Sequence, residues 1–302
     1  MSVDSRPTSG RQAVAARRRA AALHVWREFV RTRSGVVGLV LLVVIIVIAI
    51  LAPVLVPAES LDVTQITAPT NHPPMPGYPL GTDPQGRSVL GMLIWGARVS
   101  LLVGFAATAV SMVIGTSMGM AAGHFTGTSR AVIMRVIDFF LVIPGLVLAI
   151  VLSSVLSRGV WTIIIAIGVT SWAGTARVVR AQTLTIESRP YIERAKALGA
   201  GDGHLLVRHV LPAGLPLVLA NTTLTVGSAV IAESTLSFLG LGDPTQISWG
   251  SMLKTALDTG AATAGYWWYV LPPGLAIVVV VLCFTLVGRA LESVLNPTLR
   301  RR

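Results

Sequence analysis

Cysteine, lysine and acidic residues are all scarce in this chain of 302 residues. A single cysteine, Cys283, sits in an apolar run, which excludes a disulfide framework and a cysteine-rich metal site and leaves packing as its role. Lysine occurs only at Lys196 and Lys254. Neither follows a glycine as the lysine of a G-x-x-x-x-G-K-[ST] loop does, so the sequence carries no phosphate-binding loop of that kind. Charged residues make up 12% of the sequence against 53% hydrophobic, far more apolar surface than a soluble domain of this length needs for its core. Some of that surface must face lipid. The formal net charge is +11, yet the arginines flank apolar runs instead of forming a patch interleaved with aromatics, which argues against a nucleic-acid partner.

What the chain has in quantity is long uncharged runs. Six can be counted, at 36–58, 99–129, 139–157, 159–176, 210–232 and 259–288. The first has 23 residues, about 34 Å as a helix, enough to cross a bilayer core. The stretch before it is too long for a secretory n-region and no small-x-small cleavage site follows, so a retained anchor is expected. The fold class is therefore all-α, a polytopic membrane protein with six transmembrane helices. With the N-terminus inside, 20 of the 24 Lys and Arg residues fall on inner segments, and only Arg87, Arg98, Arg158 and Lys254 lie outside. Both termini are expected to be cytoplasmic.

This layout divides the chain into a basic N-terminal segment (1–35), a transmembrane domain (36–296) and a basic tail (297–302). Within 11–33, Leu23, Trp26, Phe29 and Val30 recur at helical spacing, which suits an amphipathic helix on an anionic inner leaflet. Function is expected in two outer segments, 58–97 and 239–266, and one inner loop, 177–212. The first outer segment is rich in proline (Pro57, Pro69, Pro73, Pro74, Pro76, Pro79) and reads as an ordered, irregular cap. In the inner loop, Pro190 opens a short helix over 189–198 and Gly199 fits the left-handed position that closes it. Asp202 is placed to cap a second helix from about 203 to 211, delimited by Pro212. Such a helix–turn–helix either docks a partner or seals the inner mouth of a pore.

Three stretches resemble one known family. Glu193-Arg194-Ala195, then Gly199, then His209-Val210-Leu211-Pro212 is similar to the EAA loop of ATP-binding-cassette importer permeases, E-A-A-x3-G-x9-I-x-L-P, with Arg194 and His209 as departures. Residues 79–88 (PLGTDPQGRS) with 96–101 (GARVSL) resemble a signature of dipeptide and oligopeptide permeases of the C type, with Ser88 and Met92 departing from it. Residues 233–242 (ESTLSFLGLG) with 248–253 (SWGSML) resemble a third. The resemblance implies a type I importer permease of the bacterial inner (plasma) membrane that takes up peptides. It implies coupling to separate ATPases through Tyr191, Glu193, Arg194, Ala195, Lys196, Ala197, Leu198, Gly199, His209, Leu211 and Pro212. It further implies a second homologous permease, two ATPase subunits that bind the ATP and Mg, and an outside binding protein. This chain itself would carry no cofactor and no enzymatic chemistry. Candidates for the outer mouth and pathway are Asp83, Arg87, Arg98, Glu233, Ser237, Phe238 and Trp249.

Inside the spans, Asp138 is expected to pair with Arg135 one turn away. Glu233 could meet the amino terminus of a substrate or hydrogen-bond Ser and Thr neighbours. Gly115, Gly119 and Gly123 bare one face of a helix for close packing, and Pro144 should kink the third span. The rival reading is a stand-alone secondary transporter or channel. Such proteins usually carry coupling acids at mid-membrane, and these spans nearly lack them.

Overall fold

The computed structural model describes residue 23 and residues 25–295, and the apolar runs fold into helices. In chain order these are α1 (Arg33–Leu55), α2 (Val89–His124), α3 (Gly127–Val142), α4 (Gly145–Val155), α5 (Val160–Thr170), α6 (Trp172–Glu187), α7 (Pro190–Ala197), α8 (Asp202–Phe238), α9 (Trp249–Asp258) and α10 (Trp267–Leu295). Among the described residues there is no strand, only isolated bridges between Met75 and Tyr78 and between Thr82 and Ser88. Most of the expected amphipathic helix and all of the 297–302 tail lie outside the described residues. Residues 25–31 are helical, with Phe29 buried against Val287 and Ala290 of α10.

Four helices, α1, α2, α8 and α10, are each long and apolar enough to cross a membrane. Two bent pairs, α3 with α4 and α5 with α6, bring the total to six if each counts as one span. The bend between α3 and α4 is 86°, so the expected third span is broken, not merely kinked. Its cause is Pro144. A proline pushes the residue before it out of the helical region, and Ile143 is extended at φ −78°, ψ 128°.

Among the helix boundaries that depart from the expected ones, those of α2 and α8 have a visible cause. α2 begins ahead of its run because Arg98, which ended the count, lies within the helix with its guanidinium 5.0 Å from the centre of the Trp95 ring. Ser88, where the family signature has an acid, caps this helix by accepting a hydrogen bond from the Gly91 N–H at 3.2 Å. The second departure is α8, which does not stop at Pro212. A widened turn over Leu206–Val210 accommodates the ring, and the helix continues to Phe238. Nor does Asp202 cap it: the N-cap residue is Gly201, with no side-chain bond.

α2 forms the centre of the bundle, with its most extensive contact against α6 and further contacts to α5 and α8. The glycine stripe makes the α2–α6 contact. A Cβ built at Gly115 would lie 2.7 Å from the Trp172 carbonyl oxygen, and one at Gly119 2.5 Å from that of Ala176. One at Gly123 would lie 2.6 Å from the Thr183 Cβ. α10 packs on both α8 and α1. Val37, Val40, Val44, Val47 and Leu51 of α1 stay exposed, as a lipid-facing surface requires. Asp138 pairs with Arg177 of α6 at 3.1 Å, not with Arg135, so a contact expected within one helix instead joins two.

Candidate functional site

The two ends of α2 carry the two groups of candidate residues. At its N-terminal end the proline-rich segment folds around Asp83, which is fully buried. Its carboxylate accepts hydrogen bonds from the Gln85 N–H at 2.9 Å, the Arg87 N–H at 2.8 Å and the Arg87 Nε at 2.8 Å. The Thr82 hydroxyl donates to the Pro69 carbonyl at 2.6 Å and accepts from the His72 N–H at 2.9 Å. Proline withholds donors from this segment, and side chains supply the missing bonds. Beside it, Ser248 and Ser251 form a reciprocal cap that starts α9. The Trp249 indole N–H donates to the Leu93 carbonyl at 3.0 Å, and Lys254 pairs with Asp258 at 2.6 Å.

Glu233 is buried in the same region, near the end of α8, and accepts hydrogen bonds from Ser237 at 2.8 Å and Ser234 at 3.3 Å. These are the serine neighbours expected of it. Asp83, Glu233, Ser237 and Trp249 are thus closed inside the protein, where they hold α2, α8, α9 and the cap together. Phe238 is partly exposed at the end of α8.

Arg87 and Arg98 instead line a cleft of about 1050 Å³ between α1, α2, α9 and the loop that precedes α9. Trp95, Phe105, Asp62, Asp243 and Lys254 also line it. Hydrogen bonds from the Thr64 N–H and then its hydroxyl hold the Asp62 carboxyl below the usual range, so it stays ionised at the rim. The cleft therefore offers both signs of charge beside aromatic surface. Counting runs missed it, because its wall is assembled from segments far apart in the chain.

At the other end of α2 the first helix of the 177–212 loop is folded as its local signals predict. Pro190 starts α7, and Gly199 ends it at φ +83°, with the Gly199 N–H bonded to the Lys196 carbonyl and the Ala200 N–H to that of Ala195. One side chain of α7 is buried, Ile192, which packs with Ile186 and Val210. Glu193, Arg194, Lys196, Ala197 and Leu198 face outward, Leu198 being 88% exposed, and Ala195 is partly covered. The Tyr191 ring lies 6.2 Å from that of His209, and Leu211 and Pro212 follow on α8. Sequence reasoning did not single out Val207, which is 66% exposed on the same end of the bundle.

Residues 115–301 match a family model described as the binding-protein-dependent transport system inner membrane component. Residues 23–74 match one for the N-terminal transmembrane domain of oligopeptide transport permease C. The dipeptide transport system permease protein DppC of Bacillus subtilis is 35% identical over 91% of this chain and 85% of its own length. The oligopeptide transport system permease protein OppC of the same organism is 34% identical over 92% of each chain. The glutathione transport system permease protein GsiD of Pectobacterium atrosepticum is 33% identical over 91% of this chain and 90% of its own. Among solved structures, a chain of the MetNI methionine ABC transporter in inward-facing conformations superposes with a TM-score of 0.55. It is 21% identical, over 67% of this chain and 96% of that one, a likeness of fold. By these matches the chain belongs to the inner-membrane permease components of binding-protein-dependent transport systems, in the C-type branch of the dipeptide and oligopeptide permeases.

Proposed function

We propose that this chain forms half of the membrane pathway of an ATP-driven importer of short peptides, and that α7 is where a separate ATPase engages it. The observation that carries the reading is α7 itself. A helix anchored by one buried isoleucine that presents Tyr191 and Leu198 to the outside leaves apolar surface for a partner to cover. The sequence has no phosphate-binding loop, so ATP and Mg belong to the partner. Peptide cargo is favoured by relatives named for dipeptides, oligopeptides and glutathione. It is also favoured by a cleft with both cations and carboxylates on its walls, suited to a zwitterion. The charge distribution favours α7 in the cytoplasm and the cleft outside. A second, homologous permease completes the pathway, two ATPase subunits lie beneath, and an extracytoplasmic binding protein delivers cargo.

Docking is tested by Tyr191→Cys in a Cys283→Ala background, where the new thiol is the chain's only one. A short thiol-directed cross-linker should join this position to the co-expressed ATPase, and a cysteine at Val63, near the cap, should give no such product. Cross-linking at Val63 and none at Tyr191 contradicts the reading.

A further inference from the structure

His124 ends α2 with its side chain 4% exposed, and carboxylates from two other helices meet it. Its Nδ1 lies 2.6 Å from Oε1 of Glu187, the last residue of α6. Its Nε2 lies 3.2 Å from Oδ1 of Asp202, the first residue of α8. The second oxygen of Glu187 accepts from the Lys196 Nζ of α7 at 2.6 Å. The Phe125 ring meets the imidazole in a T-shaped contact, with centroids 5.2 Å apart. Nδ1 is hydrogen-bonded to the Glu187 carboxylate and Asp202 stands within ion-pair distance of Nε2, so the ring bridges two carboxylates.

The place of this cluster matters as much as its chemistry. α7 has one buried side chain, Ile192, and an apolar contact of that kind is non-directional. Charge-assisted hydrogen bonds fix direction and register. The cluster also adjoins Gly123, the last of the three glycines that seat α2 directly on α6.

We propose that His124 is a positioning residue for transport. Through Lys196, Glu187 and Asp202 it ties α7 to the ends of α2, α6 and α8, so that a stroke delivered to α7 moves the three membrane helices together. This inference rests on the reading of α7 as the ATPase-docking helix, and it adds which residues carry the stroke onward.

The test is made on the complex reconstituted in liposomes with its ATPases and binding protein, measuring peptide uptake per ATP hydrolysed for His124→Ala, His124→Gln and His124→Lys. Gln comes close to the size of the imidazole and stays neutral, whereas the ammonium of Lys can donate to both carboxylates. The expected result is normal ATPase co-purification throughout. Uptake per ATP should fall about fivefold or more in the Ala and Gln variants, the scale of one lost hydrogen bond, and largely recover in Lys. Wild-type coupling in the Gln variant overturns the relay. So does loss of ATPase binding with an unchanged ratio in whatever complex remains, since His124 would then build the docking surface without transmitting motion. Absence of the Tyr191→Cys cross-link in the otherwise wild-type complex marks failure of the docking reading itself.

Discussion

Gly199 carries a backbone at φ +83°, and a Cβ built there would touch nothing within 4 Å. Any cost of substitution is therefore conformational and not steric. A β-branched residue in that conformation costs about 1–3 kcal/mol, while asparagine tolerates it. Gly199→Val should fray the end of α7 and lower ATPase-coupled uptake several-fold with normal membrane insertion, and Gly199→Asn should stay near wild type. Equal activity of the two variants would show that the closing turn of α7 is dispensable. This position and Pro190 were legible in the sequence because helix start and stop signals act over a few residues. His124 was not, since its partner Glu187 lies 63 residues away and nothing local to either announces the pair. The same holds for Asp138, whose partner Arg177 lies across two helices.

Among the elements, the α2–α6 contact tests how closely the helices must approach. At Gly119 a side chain would push against the Ala176 carbonyl oxygen at 2.5 Å and the Val179 Cβ at 2.8 Å. Backbone cannot yield as a flexible side chain can. Gly119→Val should therefore destabilise the pair by at least the ~1–3 kcal/mol typical of overpacking. A lower melting temperature and yield of the detergent-purified protein would register it. Gly174→Ala, on α6 with open space around it, should leave both unchanged. A Gly119→Val protein that melts with the wild type would show that the stripe does not set the contact. The stripe was readable because its four-residue period places all three glycines on one helix face. Span ends were less so. Counting uncharged residues stops at Arg98 although the helix does not, and the stop signal read at Pro212 is overridden by a widened turn that carries the helix through it. The 86° break at Pro144 was foreseen as a kink, but its size depends on packing that one residue does not encode.

For the molecule as a whole, three short motifs hold the two ends of α2 to their neighbours. The 79–88 and 233–253 motifs build the cap, α9 and the cleft wall, and the 191–212 motif builds α7 and the turn into α8. Of the motif residues proposed for the pathway, Asp83, Glu233, Ser237 and Trp249 are buried within this chain, and Arg87 and Arg98 are among those that line the cleft. A motif marks where structure is constrained; burial then separates bracing from contact. The central claim is that motion imposed at α7 opens and closes a path for peptide, with the energy supplied by another chain. Uptake of a radiolabelled dipeptide into proteoliposomes measures this most directly. This chain is reconstituted either alone under an imposed proton or sodium gradient, or with its partner permease, ATPases and binding protein plus ATP. The account predicts uptake in the complete, ATP-supplied complex and none by the chain alone under either gradient. Gradient-driven uptake by the isolated chain would contradict it.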